Sequence, residues 1–283
     1  MRPLFLLSLT LLLTACPPDL EVAPALLLVE DFSLSTTEGQ GAPTTEITEV
    51  WAFADEEFIG VFPLPARIPL LRVGTVAIRL EAGIHQDGRS VTPDIYPFYT
   101  SFSSSIDVAS GQTLDLGVLP IRYRDETVFG FIEDFEPGRG RTFTEILAGT
   151  GGIRPQTDVV RSGGAAGAVE LGDSNRLAEI ATGQTFTGLA TVPINVWLEV
   201  DYRGDAPAVF GVIGEQNGIA VRVFDPGFLP RDNWTKIYFN LGPVIGSSGL
   251  EQLQVAISTL LGDERDRGTV YLDNLKLLYF PPQ

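Results

Sequence analysis

Two short stretches in the last third of this 283-residue chain carry residue types that could hold a sugar. In one, Trp197, Glu199 and Asp201 alternate with Val196, Leu198, Val200 and Tyr202; in the other, Trp234, Lys236, Tyr238 and Asn240 alternate with Thr235, Ile237, Phe239 and Leu241. A strand sends successive side chains to opposite faces. Each stretch therefore reads as a strand with an apolar face for the core and a second face carrying an aromatic ring beside carboxylate, ammonium or amide groups. Such a face suits a saccharide: the ring stacks on C–H groups, and the polar tips bond hydroxyls. The alternative is that the tryptophans pack under loops and the polar residues form a solvated sheet face.

Catalytic chemistry has little to build on. His85 is the only histidine, and its setting, Ile84-His85-Gln86-Asp87-Gly88, reads as a turn. A zinc site would lack a second imidazole. A glycoside hydrolase needs only two carboxylates; with 36 acidic residues such pairs are unavoidable, and Glu199 with Asp201 is the best-placed one. No phosphate-cradling glycine motif occurs in a strand–helix context.

The elements that must position these residues are strands. Thirty glycines and 20 prolines punctuate short runs rich in Val, Ile, Leu, Thr and aromatics, and no long segment repeats an apolar stripe at helical spacing. Strands are expected at 26–32, 48–54, 58–62, 74–81, 101–108 and 113–123, with a polar loop at 33–45. The cluster Tyr96-Pro97-Phe98-Tyr99 is expected in the core or at a sandwich rim. The length allows two domains. A repeat of Glu-Asp-Phe, at 30–32 and again at 133–135, marks two domain starts. The expected division is residues 26–124 and 125–283. The formal charge is −17, and the 19 basic residues include only two lysines, Lys236 and Lys276. Such acidity disfavours nucleic acid as a partner.

Leu13-Thr14-Ala15-Cys16 closes an apolar run that follows Arg2. A basic start, a greasy middle of about ten residues and small residues at the cut make a secretory signal, too short to span a membrane. The four residues resemble the bacterial lipobox. That resemblance implies cleavage after residue 15 and lipidation of Cys16, the only cysteine, with residues 16–25 as linker. Two or more acyl chains anchor stably, at about 0.8 kcal/mol per buried methylene. Pro17 stands where an inner-membrane retention Asp would, so the resemblance implies an outer-membrane lipoprotein, the side unresolved.

Two further resemblances bear on fold. Residues 48–83, with strands around Val50–Phe53 and Phe58–Phe62, an acidic turn at 55–57 and a strand starting at Gly74, resemble small PEGA-like β-sandwich modules, whose residues are mostly structural. Asp134-Phe135-Glu136, then Ser162-Gly163-Gly164 before an apolar strand, Trp234 leading an amphipathic strand, and the closing Val270-Tyr271-Leu272-Asp273-Asn274 are similar to jelly-roll, galactose-binding-like domains and carbohydrate-binding modules. This second resemblance implies a glycan ligand and a structural Ca²⁺ held by Glu133 or Asp134 together with Asp273.

The chain is thus expected to be all-β, a small N-terminal β-sandwich plus a C-terminal jelly-roll. Its expected role is non-catalytic: binding or structure at the cell envelope, with a glycan as ligand on Trp197, Glu199, Asp201, Trp234, Lys236, Tyr238 and Asn240. The alternatives are a scaffold subunit with an envelope-protein partner, and a glycoside hydrolase or lyase.

Overall fold

The computed structural model describes residues 23–281. The N-terminal part contains β1 (Ala25–Val29), β2 (Asp31–Ser35), β3 (Glu49–Ala54), β4 (Glu57–Pro63), β5 (Ala66–Leu70), β6 (Gly74–His85), β7 (Pro93–Ile95), β8 (Phe102–Val108), β9 (Thr113–Asp115) and β10 (Val118–Arg122). The C-terminal part contains β11 (Val128–Glu133), β12 (Phe143–Ala148), β13 (Arg154–Gln156), β14 (Ala166–Gly172), β15 (Leu177–Thr182), β16 (Phe186–Thr187), β17 (Val196–Gly204), β18 (Ala208–Gln216), β19 (Ile219–Phe228), β20 (Arg231–Asn240), the helix α1 (Gly242–Ser248), β21 (Gln252–Leu260) and β22 (Arg267–Tyr279). The expected loop at 33–45 begins later than its polarity suggests. Ser33 and Ser35 are outward residues of β2, alternating with the buried Phe32 and Leu34.

In the N-terminal sandwich, a five-stranded sheet β4-β3-β6-β7, with β8 also on β6, faces a smaller layer made of β5-β1-β9 and β10-β2. Alternation explains the packing. Val50, Ala52 and Ala54 of β3, and Val76, Ile78 and Leu80 of β6, point inward against Leu27, Ile68, Leu119 and Ile121. The chain enters at one end, where the Ala23 carbonyl accepts from Gly111 N–H at 3.0 Å. It then runs in the same direction through β1 and β2, about 35 Å of extended backbone. β9 and β10 lie parallel to β1 and β2, respectively.

The C-terminal jelly-roll has two six-stranded sheets. One is β13-β14-β22-β17-β20 with β11 on β22; the other is β12-β15-β21-β18-β19 with β16 on β21. Leu198, Val200, Phe210, Val212, Phe239, Val255, Ile257, Leu272 and Leu277 fill the space between them. β17 departs from half-buried alternation, since every residue from Val196 to Tyr202 is buried. A strand buried on both faces has a second layer over it. Here that layer is the N-terminal sandwich.

Candidate functional site

The expected sugar face is not a surface. Trp197 (3 % exposed), Tyr238 and Leu278 belong to the same apolar cluster as the core of the N-terminal sandwich. Trp197 meets Tyr96 edge-on at 5.5 Å between ring centroids. Tyr238 packs on Tyr96 at 4.7 Å and shares a hydroxyl contact of 3.2 Å with Tyr99. Its hydroxyl also accepts from Glu46 N–H at 3.0 Å. Tyr96, Phe98 and Tyr99 take the core position expected of their cluster.

Between these rings lies a buried ionic network. Glu199 accepts from Lys236 Nζ at 2.8 Å, from Tyr96 at 2.8 Å and from Tyr123 at 3.0 Å. Lys236 donates to Thr44 at 3.1 Å, and Thr44 donates to Asp201 at 2.6 Å. Asn274 Nδ2 donates to Asp201 at 3.0 Å. Lys276 donates to the Ala42 carbonyl at 2.7 Å and to Tyr123 at 3.1 Å. Both lysines of the chain are therefore inside it.

The backbone of β22 makes this network possible. Lys276 pairs opposite Glu199 and Asp273 opposite Asp201, although they are an odd number of residues apart. Simple alternation would put them on opposite faces. Asn274, at φ 49°, is the extra residue of a bulge that restores the face.

Burial acts on every member. It works against ionisation of Glu199, but the attraction of Lys236 and Lys276 and the bonds from Lys236 and Tyr96 hold its pKa below the usual value. Burial likewise works against Lys236, and Glu199 and Asp201 outweigh it, raising that pKa. Lys276 has weaker compensation; burial lowers it to about 8. Burial raises Asp273 to about 7, against three backbone N–H donors. Breaking a buried pair by removing one partner costs about 3–5 kcal/mol, so the network is a lock between the sandwiches. Glu199 and Asp201 face the lock and no cleft, which removes them as a hydrolase pair.

The remaining expected residues lie apart. Asn240 borders the seam: its N–H donates to Asp87 at 3.2 Å, and its side-chain oxygen accepts from Gly242 N–H at 3.0 Å. Trp234 is half-buried near the start of β20. His85 pairs with Glu49. Cys16 lies outside the described residues, as do the signal and most of the linker.

The carboxylates expected to hold calcium do not fit it. Glu133 accepts from the backbone N–H groups of Phe135 at 3.0 Å and Thr142 at 2.6 Å, and from Arg141 at 3.2 Å. Asp134 accepts from Glu136 N–H and Arg139. Asp273 accepts from the N–H groups of Arg161, Ser162 and Asn274 at 2.8–3.2 Å. These oxygens are aimed at N–H donors, where a cation needs six to eight oxygen ligands. Among the described residues, no three His, Cys, Asp or Glu side chains group as a metal site.

The outer face of the jelly-roll's other sheet carries its own small group of apolar residues. Ala181, Ala256 and Ile213, with Leu147 and Phe224 against them, form a small cluster outside the main core. In register, Ala181, Ala256, Gly211 and Phe224 make one row across four strands. Ala181, Ala256 and Gly211 are buried in this row, and the groups accessible beside them are the half-buried Phe224 and the exposed Arg222. Arg222 bonds Glu179 at 2.7 Å, and Ser258 donates to Glu179 at 3.3 Å. Beside this row is a depression of about 350 Å³, lined by Thr185, Ile213, Glu215, Arg222, Gln252 and Gln254. Phe224 and Arg222 carry no sequence signal that separates them from ordinary strand residues.

No family model matches the chain, and no curated protein matches it. Solved structures resemble it at low similarity. One, on the promiscuous specificity of carbohydrate-binding modules of the β-sandwich superfamily, is 15 % identical with a TM-score of 0.38, over 92 % of this chain and 99 % of that one. A family 30 carbohydrate-binding module of a cellulosomal cellulase from Clostridium thermocellum is 15 % identical with a TM-score of 0.37, over 55 % of this chain and 94 % of that one. The C-terminal family 22 module of Clostridium thermocellum Xyn10B is 14 % identical with a TM-score of 0.37, over 55 % and 95 %. The all-β architecture rests on the strands and their pairing described above.

Proposed function

We propose that this chain is a lipid-anchored, non-catalytic binding protein of the cell envelope, and that its ligand is a glycan received on the outer face of the β12-β15-β21-β18-β19 sheet. The observation that carries the ligand class is the depression beside the half-buried Phe224 ring, whose walls hold the polar groups of Glu215, Arg222 and Gln254. A sugar ring needs an aromatic or apolar face below and hydrogen-bonding groups at its rim. The path of the chain supports the anchor: Ala23 enters at the end of the N-terminal sandwich away from the seam, so a lipid on Cys16 leaves the jelly-roll facing outward from an outer membrane.

Binding of the full chain to an array of neutral and basic glycans tests this. Phe224→Ala and Arg222→Ala are expected to weaken binding about tenfold each, roughly 1.4 kcal/mol, while Trp234→Ala leaves it unchanged. An array on which no glycan binds the folded protein would sink the reading and favour an envelope-protein partner.

A further inference from the structure

The five-stranded sheet of the N-terminal sandwich has an outer face that the seam does not use. Register places Glu49, Trp51 and Phe53 of β3 opposite Gly83, Glu81 and Arg79 of β6. Phe58 of β4 lies opposite Phe53. Val50, Ala52 and Ala54 take the inner face, so the three rings point outward. They are contiguous: Phe58 lies 5.6 Å from Trp51 and 5.4 Å from Phe53, centroid to centroid, and is 51 % exposed. The Arg79 guanidinium lies over Phe53 at 3.9 Å and bonds Glu81.

Gly83 seats the tryptophan. A Cβ there would meet indole Cδ1 at 2.9 Å and Nε1 at 3.0 Å, so the indole lies against the backbone at a position without a side chain. The indole Nε1 is buried and has no hydrogen-bond partner. An unpaired donor in a side chain packed only for stability costs free energy. This ring is held in place at that cost.

We propose that Trp51, Phe53 and Phe58 form a second binding site, for a neutral saccharide chain, independent of the jelly-roll face. The polar surroundings select the ligand. Glu49 is paired with His85, and Glu81 and Glu56 share Arg79, so three carboxylates face one guanidinium and one imidazole and the surroundings stay net negative, which disfavours an anionic ligand. Ser103 and Ser105 of β8 continue the same outer face beside Arg79 and Ala77. Aromatic rings, paired charges and hydroxyls match a polyhydroxylated ligand without net charge, and the chain's charge of −17 opposes a polyanion. Several rings in a row suit a chain of sugar units better than a single one.

The test is native electrophoresis of the full chain through gels holding, in turn, a soluble mixed-linkage β-glucan, a galactan or a xylan. Wild type is compared with Phe58→Ala, Phe224→Ala and the double variant. Phe58 is exposed, so unchanged melting certifies the fold. With two sites, at least one polysaccharide retards wild type, the Phe224→Ala protein keeps part of that retardation, and adding Phe58→Ala weakens it about tenfold further. If Phe224→Ala alone abolishes retardation, the second site is overturned and the jelly-roll reading stands. If Phe58→Ala abolishes it and Phe224→Ala is silent, the second site stands and the jelly-roll site fails. No retardation by any polysaccharide overturns both.

Discussion

Asp273 sits one residue before the bulge residue Asn274 and Lys276 two after it, and their pKa values shift in opposite senses. Burial raises Asp273 from 3.8 to about 7, so the folded state holds a proton that the unfolded chain has released. Its contribution to stability is complete below about pH 4 and is lost as pH rises to about 7. Burial lowers Lys276 from 10.5 to about 8, so the folded state releases a proton that the unfolded chain keeps. Its cost is present below about pH 8 and disappears towards pH 10.5. Both groups therefore disfavour the folded state most between pH 7 and 8. Asp273→Asn should flatten the decline between pH 4 and 7, by roughly 4 kcal/mol at most. Urea midpoints of the two proteins across that range read this directly, and parallel curves would exclude the assignment.

The strand scale shows what the sequence revealed and what it hid. Alternation marked the strands well, because one inward face per strand is a property of each strand alone. The same alternation in Trp197-Glu199-Asp201 reads identically whether the polar side meets water or another sandwich, and this is why a sealed face looked like an open one. A signal was available: a chain with two lysines that places both on the strands of this face, and that has tyrosines at 96, 99, 123 and 238, is furnishing a buried network. The bulge at Asn274 is not legible, because Asn tolerates a left-handed backbone better than most residues but is equally at home in an extended strand. The outward facing of the β3 and β4 rings is not legible either, because it depends on which side the smaller layer packs. The bulge has a measurable cost of replacement. Asn274→Gly keeps the backbone at φ 49° and loses the side-chain bonds to Asp201 and Ser162, while Asn274→Val loses the same bonds and adds strain of about 1–3 kcal/mol. Chemical denaturation should rank wild type above Gly and Gly above Val; equal losses would mean that the side-chain bonds alone matter.

At the scale of the molecule, the two sandwiches share one apolar cluster, and unfolding should be a single transition. Trp197 belongs to β17 of the jelly-roll yet is packed in the core of its neighbour. Trp197→Ala is expected to cost about 3–5 kcal/mol and to split one calorimetric peak into two as the sandwiches uncouple. A single peak lowered in temperature would show that the ionic network suffices to couple them.

The parallel pairing of β1 with β9 and of β2 with β10 has a mechanical meaning. A chain tethered at its N-terminus and loaded at the jelly-roll is pulled backwards along β1 and β2, and forwards along β9 and β10, because β10 leads directly into the seam and β11. The two strand pairs are then dragged past each other lengthwise. Their evenly spaced hydrogen bonds share the load and must fail together, where strands peeled from one end would lose them one at a time. On the anchored, ligand-holding function proposed above, the entry strands would be the splice between tether and grip, and the fold would resist a pull along that line.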